Sequence, residues 1–139
     1  MIILDTNVVS GAMRPLLNPV VQSWLDTQIN TDLYLATTSL AELRLGIEIL
    51  PEGRRRSLLA SELDWLLEQV FADRVLPFDA NAARAYGEVV SRARRRGRPI
   101  EIADGQIAAI ATVHGFSVAT RDTSPFEAAR VAVINPWES

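Results

Sequence analysis

Short apolar runs alternate along the chain with longer segments whose apolar positions recur at helical spacing. Ile2-Ile3-Leu4, Leu33-Tyr34-Leu35-Ala36, Val75-Leu76-Pro77, Ser117-Val118-Ala119-Thr120 and Val131-Ala132-Val133-Ile134 predict buried strands. After the Arg14-Pro15 break, Asn18-Pro19 supplies an N-cap and first-turn pair for a helix with Val20, Val21, Trp24 and Leu25 inward. Thr37-Thr38-Ser39 leads into a second helix through Leu40, Leu43, Ile47 and Leu50, stopped by Pro51. Residues 54 to 72 place Leu58, Leu59, Leu63, Leu66, Leu67 and Val70 on one face. Asp79 caps a long helix ending near Gly97, and a further helix runs from about Glu101 through Ile107, Ile110 and Val113 to Gly115, a glycine placed as a C-terminal stop.

This alternation predicts an α/β layer fold with a mainly parallel sheet flanked by helices. At 139 residues and 48% apolar composition, the expectation is one domain spanning the whole chain, with no repeat or linker. No apolar run approaches the roughly 18 residues of a membrane span. The apolar start is cut off by Asp5 before a signal-peptide core forms, which predicts a cytoplasmic protein.

Composition then removes most catalytic schemes. The chain has no cysteine and one histidine, His114, and all 14 basic residues are arginine. That excludes thiolate nucleophiles, Cys-ligated zinc, two-histidine metal sites, Schiff bases and a P-loop lysine. Carboxylate is plentiful: 17 Asp and Glu give a formal net charge of -3. Chemistry here is expected to rest on carboxylates, alone or holding a hard metal ion.

In parallel-sheet folds ligands sit beyond the carboxyl ends of the strands. Asp5 ends the first strand and Asp122 lies just past Ser117–Thr120, so both are expected at one sheet edge. Glu42, in the first turn of the helix after the second strand, projects from that edge too. Asp104 opens its helix, but two helices separate strands three and four, and pattern alone leaves its direction open. Clustered carboxylates repel by about 1 kcal/mol per pair even at water-like dielectric, so a cluster calls for a cation. Mg²⁺ or Mn²⁺ fits best, because it takes oxygen ligands, bridges phosphate oxygens and activates water, making metal-assisted phosphodiester hydrolysis the leading reading.

Ile2-Ile3-Leu4-Asp5-Thr6-Asn7, Ala41-Glu42-Leu43, Ala103-Asp104-Gly105 and Thr120-Arg121-Asp122 resemble the four acidic motifs of the PIN-domain nucleases, over essentially the whole chain. Within them the chain is most similar to VapC-type toxins of type II toxin–antitoxin modules, in the FitB-like branch, which Leu76-Pro77-Phe78-Asp79 and Asn135-Pro136-Trp137 also resemble. The resemblance implies a PIN-like three-layer fold, with Asp5, Glu42, Asp104 and Asp122 binding Mg²⁺ and carrying endoribonuclease catalysis. Thr6, Asn7 and Thr120 are implied as supporting polar groups. It further implies a homodimer, and a cognate VapB/FitA-like antitoxin that covers the groove and carries the complex to operator DNA.

Other roles compete for several of these residues. Ser39-Leu40-Ala41-Glu42 has capping-box spacing, which would make Glu42 structural. Asp104 also suits a helix N-terminus, and Asp122 a turn before Thr123-Ser124-Pro125. Arg92, Arg94, Arg95, Arg96 and Arg98 complement a helix C-terminus, but Arg94, Arg95, Arg96 and Arg98 are also candidate RNA contacts, and Arg54 to Arg56 pose the same choice. Setting aside the four clustered acids turns the net charge from -3 to +1, a surface not hostile to RNA. His114 reads as a helix C-terminal residue, and Trp24, Trp65 and Trp137 are too scattered for a base-stacking platform. Haloacid-dehalogenase-like phosphatases and receiver domains need a lysine and are set aside. The competing function class is a FitB-like non-catalytic partner, whose acidic pocket receives an antitoxin arginine and which acts with the antitoxin on operator DNA.

Overall fold

The computed structural model describes residues 1–138. Five parallel strands, β1 (Ile2–Leu4), β2 (Leu33–Ala36), β3 (Val75–Leu76), β4 (Ser117–Ala119) and β5 (Val133–Ile134), lie in the order β3-β2-β1-β4-β5. The first strand is therefore central: Ile2 pairs with Leu33 on one side and with Ser117 on the other. Seven helices surround the sheet: α1 (Thr6–Ala12), α2 (Pro19–Asp26), α3 (Thr37–Glu48), α4 (Arg54–Leu66), α5 (Ala80–Arg95), α6 (Ile102–His114) and α7 (Ser124–Ala128).

Why the strands read as unbroken apolar runs is plain from the core. Side chains alternate across a strand, and here both faces are covered by helices. Leu4, Leu35 and Ala119 join a cluster with Val8, Val9, Val21, Leu43, Leu63 and Phe71 under α1–α4. Their neighbours Ile3, Ala36 and Val118 join Val89, Ala93, Ile107, Ile110 and Phe126 under α5–α7. The expected three-layer α/β arrangement with a parallel sheet is the one observed.

Caps set the helix ends. Asp79 Oδ1 accepts the Ala82 N–H at 2.9 Å at the start of α5, and Gly115 adopts φ +69° at the end of α6, the left-handed geometry that favours glycine. Among the described residues, no helix is long and apolar enough to cross a membrane.

Several local expectations change. Asn18 occupies the N-cap position of α2 but makes no side-chain cap; its amide donates to the Arg14 carbonyl at 3.3 Å. Val20 faces outward while Val21 and Trp24 are buried, because α2 begins at Pro19 and turns Val20 off the core stripe. Leu58 is likewise exposed, and the segment from residue 54 is α-helical only to Leu66 before widening into a π-type turn over Leu67–Phe71. Two short helices, α1 and α7, stand where the sequence predicts only turns and caps; at 7 and 5 residues they carry too little periodicity to show in the sequence. The last strand covers only Val133–Ile134.

Candidate active site

The carboxyl ends of β1 and β4 open onto one cleft. Asp5 follows β1 directly, and its N–H donates to the Ala119 carbonyl at 2.9 Å, which locks it to the end of β4. Its carboxylate is almost wholly buried and is held by three donors: the Thr6 N–H to Oδ1 at 2.8 Å, the Thr120 hydroxyl to Oδ2 at 2.8 Å and the Asn7 amide to Oδ2 at 3.4 Å. The first of these also caps α1, so one side chain starts a helix and anchors the cluster. Asn7 accepts the Arg121 N–H at 3.2 Å and Thr120 accepts the Asp122 N–H at 3.1 Å, tying the loop after β4 to the start of α1.

Glu42 enters from α3, where its Oε1 accepts the Thr6 hydroxyl at 2.7 Å. The capping-box alternative fails. The helix begins at Thr37, two residues before Ser39, so Ser39 lies inside it and Glu42 falls in its second turn rather than its first. The buried Ser39 hydroxyl makes no hydrogen bond among the described residues. Asp104 sits in the first turn of α6, whose N-terminus points to the same edge, and Asp122 lies in the loop beyond β4. Asp5, Glu42, Asp104 and Asp122 together line an open cleft of about 540 Å³, with Thr6, Asn7, Ser10, Arg14, Arg121 and Trp137.

The electrostatics record this convergence. Asp104 is pushed up to about 6, first by burial and then by the negative fields of Asp5, Asp122, Glu42 and Glu101. Asp5 is also raised, again by burial first, although the Thr120 hydroxyl and the Thr6 N–H pull the other way. No three of these groups stand close enough to form a ready-made metal cage among the described residues. The donor set nevertheless fits a hard divalent cation: it is all oxygen, and its spread along an open wall suits an ion that keeps several of its waters.

A stability prediction follows from the raised groups. An aspartate whose folded pKa lies near 6, above about 3.9 in the unfolded chain, stabilises the fold when protonated, and that stability is lost as pH rises through 6. In EDTA the protein should therefore melt at a higher temperature near pH 5 than near pH 7.5. Asp104→Asn should flatten this dependence, and added Mg²⁺ should raise the melting temperature most at the higher pH. Thermal melts across this range check it; a wild-type profile indistinguishable from that of Asp104→Asn would contradict it.

The arginine run divides. The Arg96 guanidinium donates to the Ala128 carbonyl, and that of Arg98 to the Ser124 carbonyl at 3.2 Å, so both pin α7. Arg98 also lines a depression of about 290 Å³ that Asp104 and Asp122 border from its other side. Arg94 and Arg95 remain exposed in the last turn of α5 and line neither space. Of the second run, Arg56 pairs with Glu48, while Arg54 and Arg55 flank an apolar depression with Leu17 and Leu58. His114 ends α6 as expected and lies against Phe116, away from the cleft. Sequence reasoning missed Arg14, Arg121 and Trp137. The available signals were the position of Arg121 between Thr120 and Asp122 and that of Trp137 in the Asn135-Pro136-Trp137 motif.

Comparison with known proteins finds a family and near full-length relatives. The model of the family described as PIN domain matches residues 2–132. The VapC ribonuclease Y4jK of Sinorhizobium fredii is 47% identical over 138 residues, covering 99% of each chain. Toxin FitB of Neisseria gonorrhoeae is 47% identical over 137 residues, again covering 99% of each. A solved structure of FitAB bound to a DNA fragment superposes with a TM-score of 0.93 at 46% identity, covering 99% of this chain and 96% of that one.

Proposed function

The chain belongs to the PIN-domain family, and from that premise we propose that it is the toxin of a VapBC-type toxin–antitoxin module, a metal-dependent endoribonuclease held in check by a cognate antitoxin. The observation that carries the reading is the meeting of four carboxylates, from the ends of β1 and β4 and from α3 and α6, in one cleft at the carboxyl edge of the sheet. A 47% identical relative bears the name VapC ribonuclease, which supports the activity.

In this reading Asp5, Glu42, Asp104 and Asp122 hold Mg²⁺, for which Mn²⁺ substitutes. The bound ion supplies charge neutralisation at the phosphate and a water of lowered pKa. The chain's own part is positioning. Thr120 and the Thr6 N–H fix both oxygens of Asp5, and the Thr6 hydroxyl holds Glu42, so Thr6 links two of the acidic groups. The burial that raises Asp5 and Asp104 also makes an unneutralised cluster costly, which favours cation uptake on folding.

The same cleft accepts a guanidinium through charge-assisted hydrogen bonds, which suits blockade by an arginine-bearing arm of a VapB/FitA-like antitoxin. The DNA-bound FitAB complex supports such a partner and, through it, contact with operator DNA. The toxin itself is assigned to the cytoplasm, where RNA and antitoxin are.

The test is incubation of the antitoxin-free protein with end-labelled transfer RNA and total RNA in Mg²⁺, Mn²⁺ or EDTA. Discrete cuts are expected with either ion and none in EDTA. Intact RNA in every metal would overturn the ribonuclease reading and leave the non-catalytic partner of an antitoxin.

A further inference from the structure

Arg121 and Trp137 line the acidic cleft but belong to no acidic group. The Arg121 guanidinium carbon lies 4.9 Å from the centroid of the Trp137 ring, a cation–π stack. Arg121 is exposed and makes no ion pair among the described residues, although Asp122 follows it in the chain. Trp137 is half-buried, packs against the core cluster that includes Leu4, Val8 and Ala119, and has its backbone N–H bound by Asn135 Oδ1 at 3.0 Å. The indole is thus a rigid support beneath a flat cation that no carboxylate claims.

The stack is also held in register with the carboxylates. The Arg121 N–H is bound by Asn7, and the preceding Thr120 donates to Asp5. We propose that Arg121 and Trp137 form a nucleobase-stacking subsite beside the acidic cluster, taking one unpaired base of single-stranded RNA next to the phosphate that lodges at the carboxylates. This rests on the ribonuclease reading of the cleft and adds to it a preference for single strands. Bases stack on aromatic rings and on arginine planes only when freed from a duplex, where neighbouring bases cover their faces. Arg14 lines the same cleft and adds a second cation to the carboxylates there.

Binding is best read without cleavage, in the Asp5→Asn protein with Mg²⁺ present and Trp65, the other exposed indole, replaced by Phe. A mixed-sequence single-stranded oligoribonucleotide should quench indole fluorescence, and the same strand annealed to its complement should not. Trp137→Leu should abolish the quench and weaken binding by roughly 5- to 150-fold, the worth of one stacked base. Arg121→Lys keeps the charge and the fold but loses the plane, and should weaken binding nearly as much. In the otherwise native enzyme, both changes should raise KM and alter the pattern of cut sites with kcat little changed. Full affinity in Arg121→Lys, or unchanged KM and cut sites in Trp137→Leu, would overturn the subsite while leaving the ribonuclease reading intact. Absence of cleavage by the wild-type chain in any metal would instead overturn that reading, whatever the quench.

Discussion

Asp5→Asn should reduce metal-dependent RNA cleavage by more than about 100-fold, exceeding the loss typical of groups that merely orient a metal ligand. The fold should survive, because asparagine keeps an acceptor for the Thr6 N–H, and the Thr120 hydroxyl, now facing an amide, can turn and accept. Stability in EDTA should rise rather than fall. One negative charge leaves a site where burial, reinforced by neighbouring carboxylates, already raises Asp5 and Asp104, and Asp104 loses its strongest charged neighbour. Because asparagine still caps α1, loss of activity with a gain in metal-free stability traces to the lost carboxylate charge and not to a lost cap. Cleavage assays and thermal melts on the same preparation decide it. Undiminished cleavage would sink the site assignment.

Gly105→Val should destabilise the protein by about 3 kcal/mol, in line with overpacked cores. A Cβ at residue 105 would stand 2.8 Å from Tyr86 Cε2 and 2.9 Å from Val90 Cγ2. Val90 is buried on α5, and Tyr86 packs edge-on to Phe78 with ring centroids 6.0 Å apart, so relieving the clash disturbs the α5–α6 contact. The glycine is what lets α6 lie tightly on α5, and it does so one residue after Asp104. The substitution should therefore lower the melting temperature by roughly 10 °C and, well below that temperature, also impair cleavage by shifting Asp104. A variant melting like the wild type would show that α5 and α6 separate without cost.

These residues also show what the sequence makes legible. Asp5 and Asp122 were placed at one edge from pattern alone, because each ends an apolar run and parallel strands share a direction. Asp104 was not: α5 and α6 follow one another with no strand between, and only packing sets the direction of the second. It entered through the resemblance of Ala103-Asp104-Gly105 to a known motif, and the structure then brought it to the cleft. The apparent capping box misled because Ser39 and Glu42 have the right spacing in the wrong frame; the preceding turn, Thr37 and Thr38, is already helical. Arg121 and Trp137 lie 16 residues apart, and no local periodicity encodes a stack that forms only when β4 and β5 pair.

The central position of β1 has a consequence in time. It is the first strand to be synthesised, and its partner β4 arrives more than 100 residues later. Until then β1 has one bare edge, and Asp5 lacks Ala119, Thr120 and Asp122 beside it. On the proposed function, a chain interrupted anywhere before β4 is harmless to the RNA around it. The toxin becomes armed only when β4, from the far end of the chain, pairs with β1.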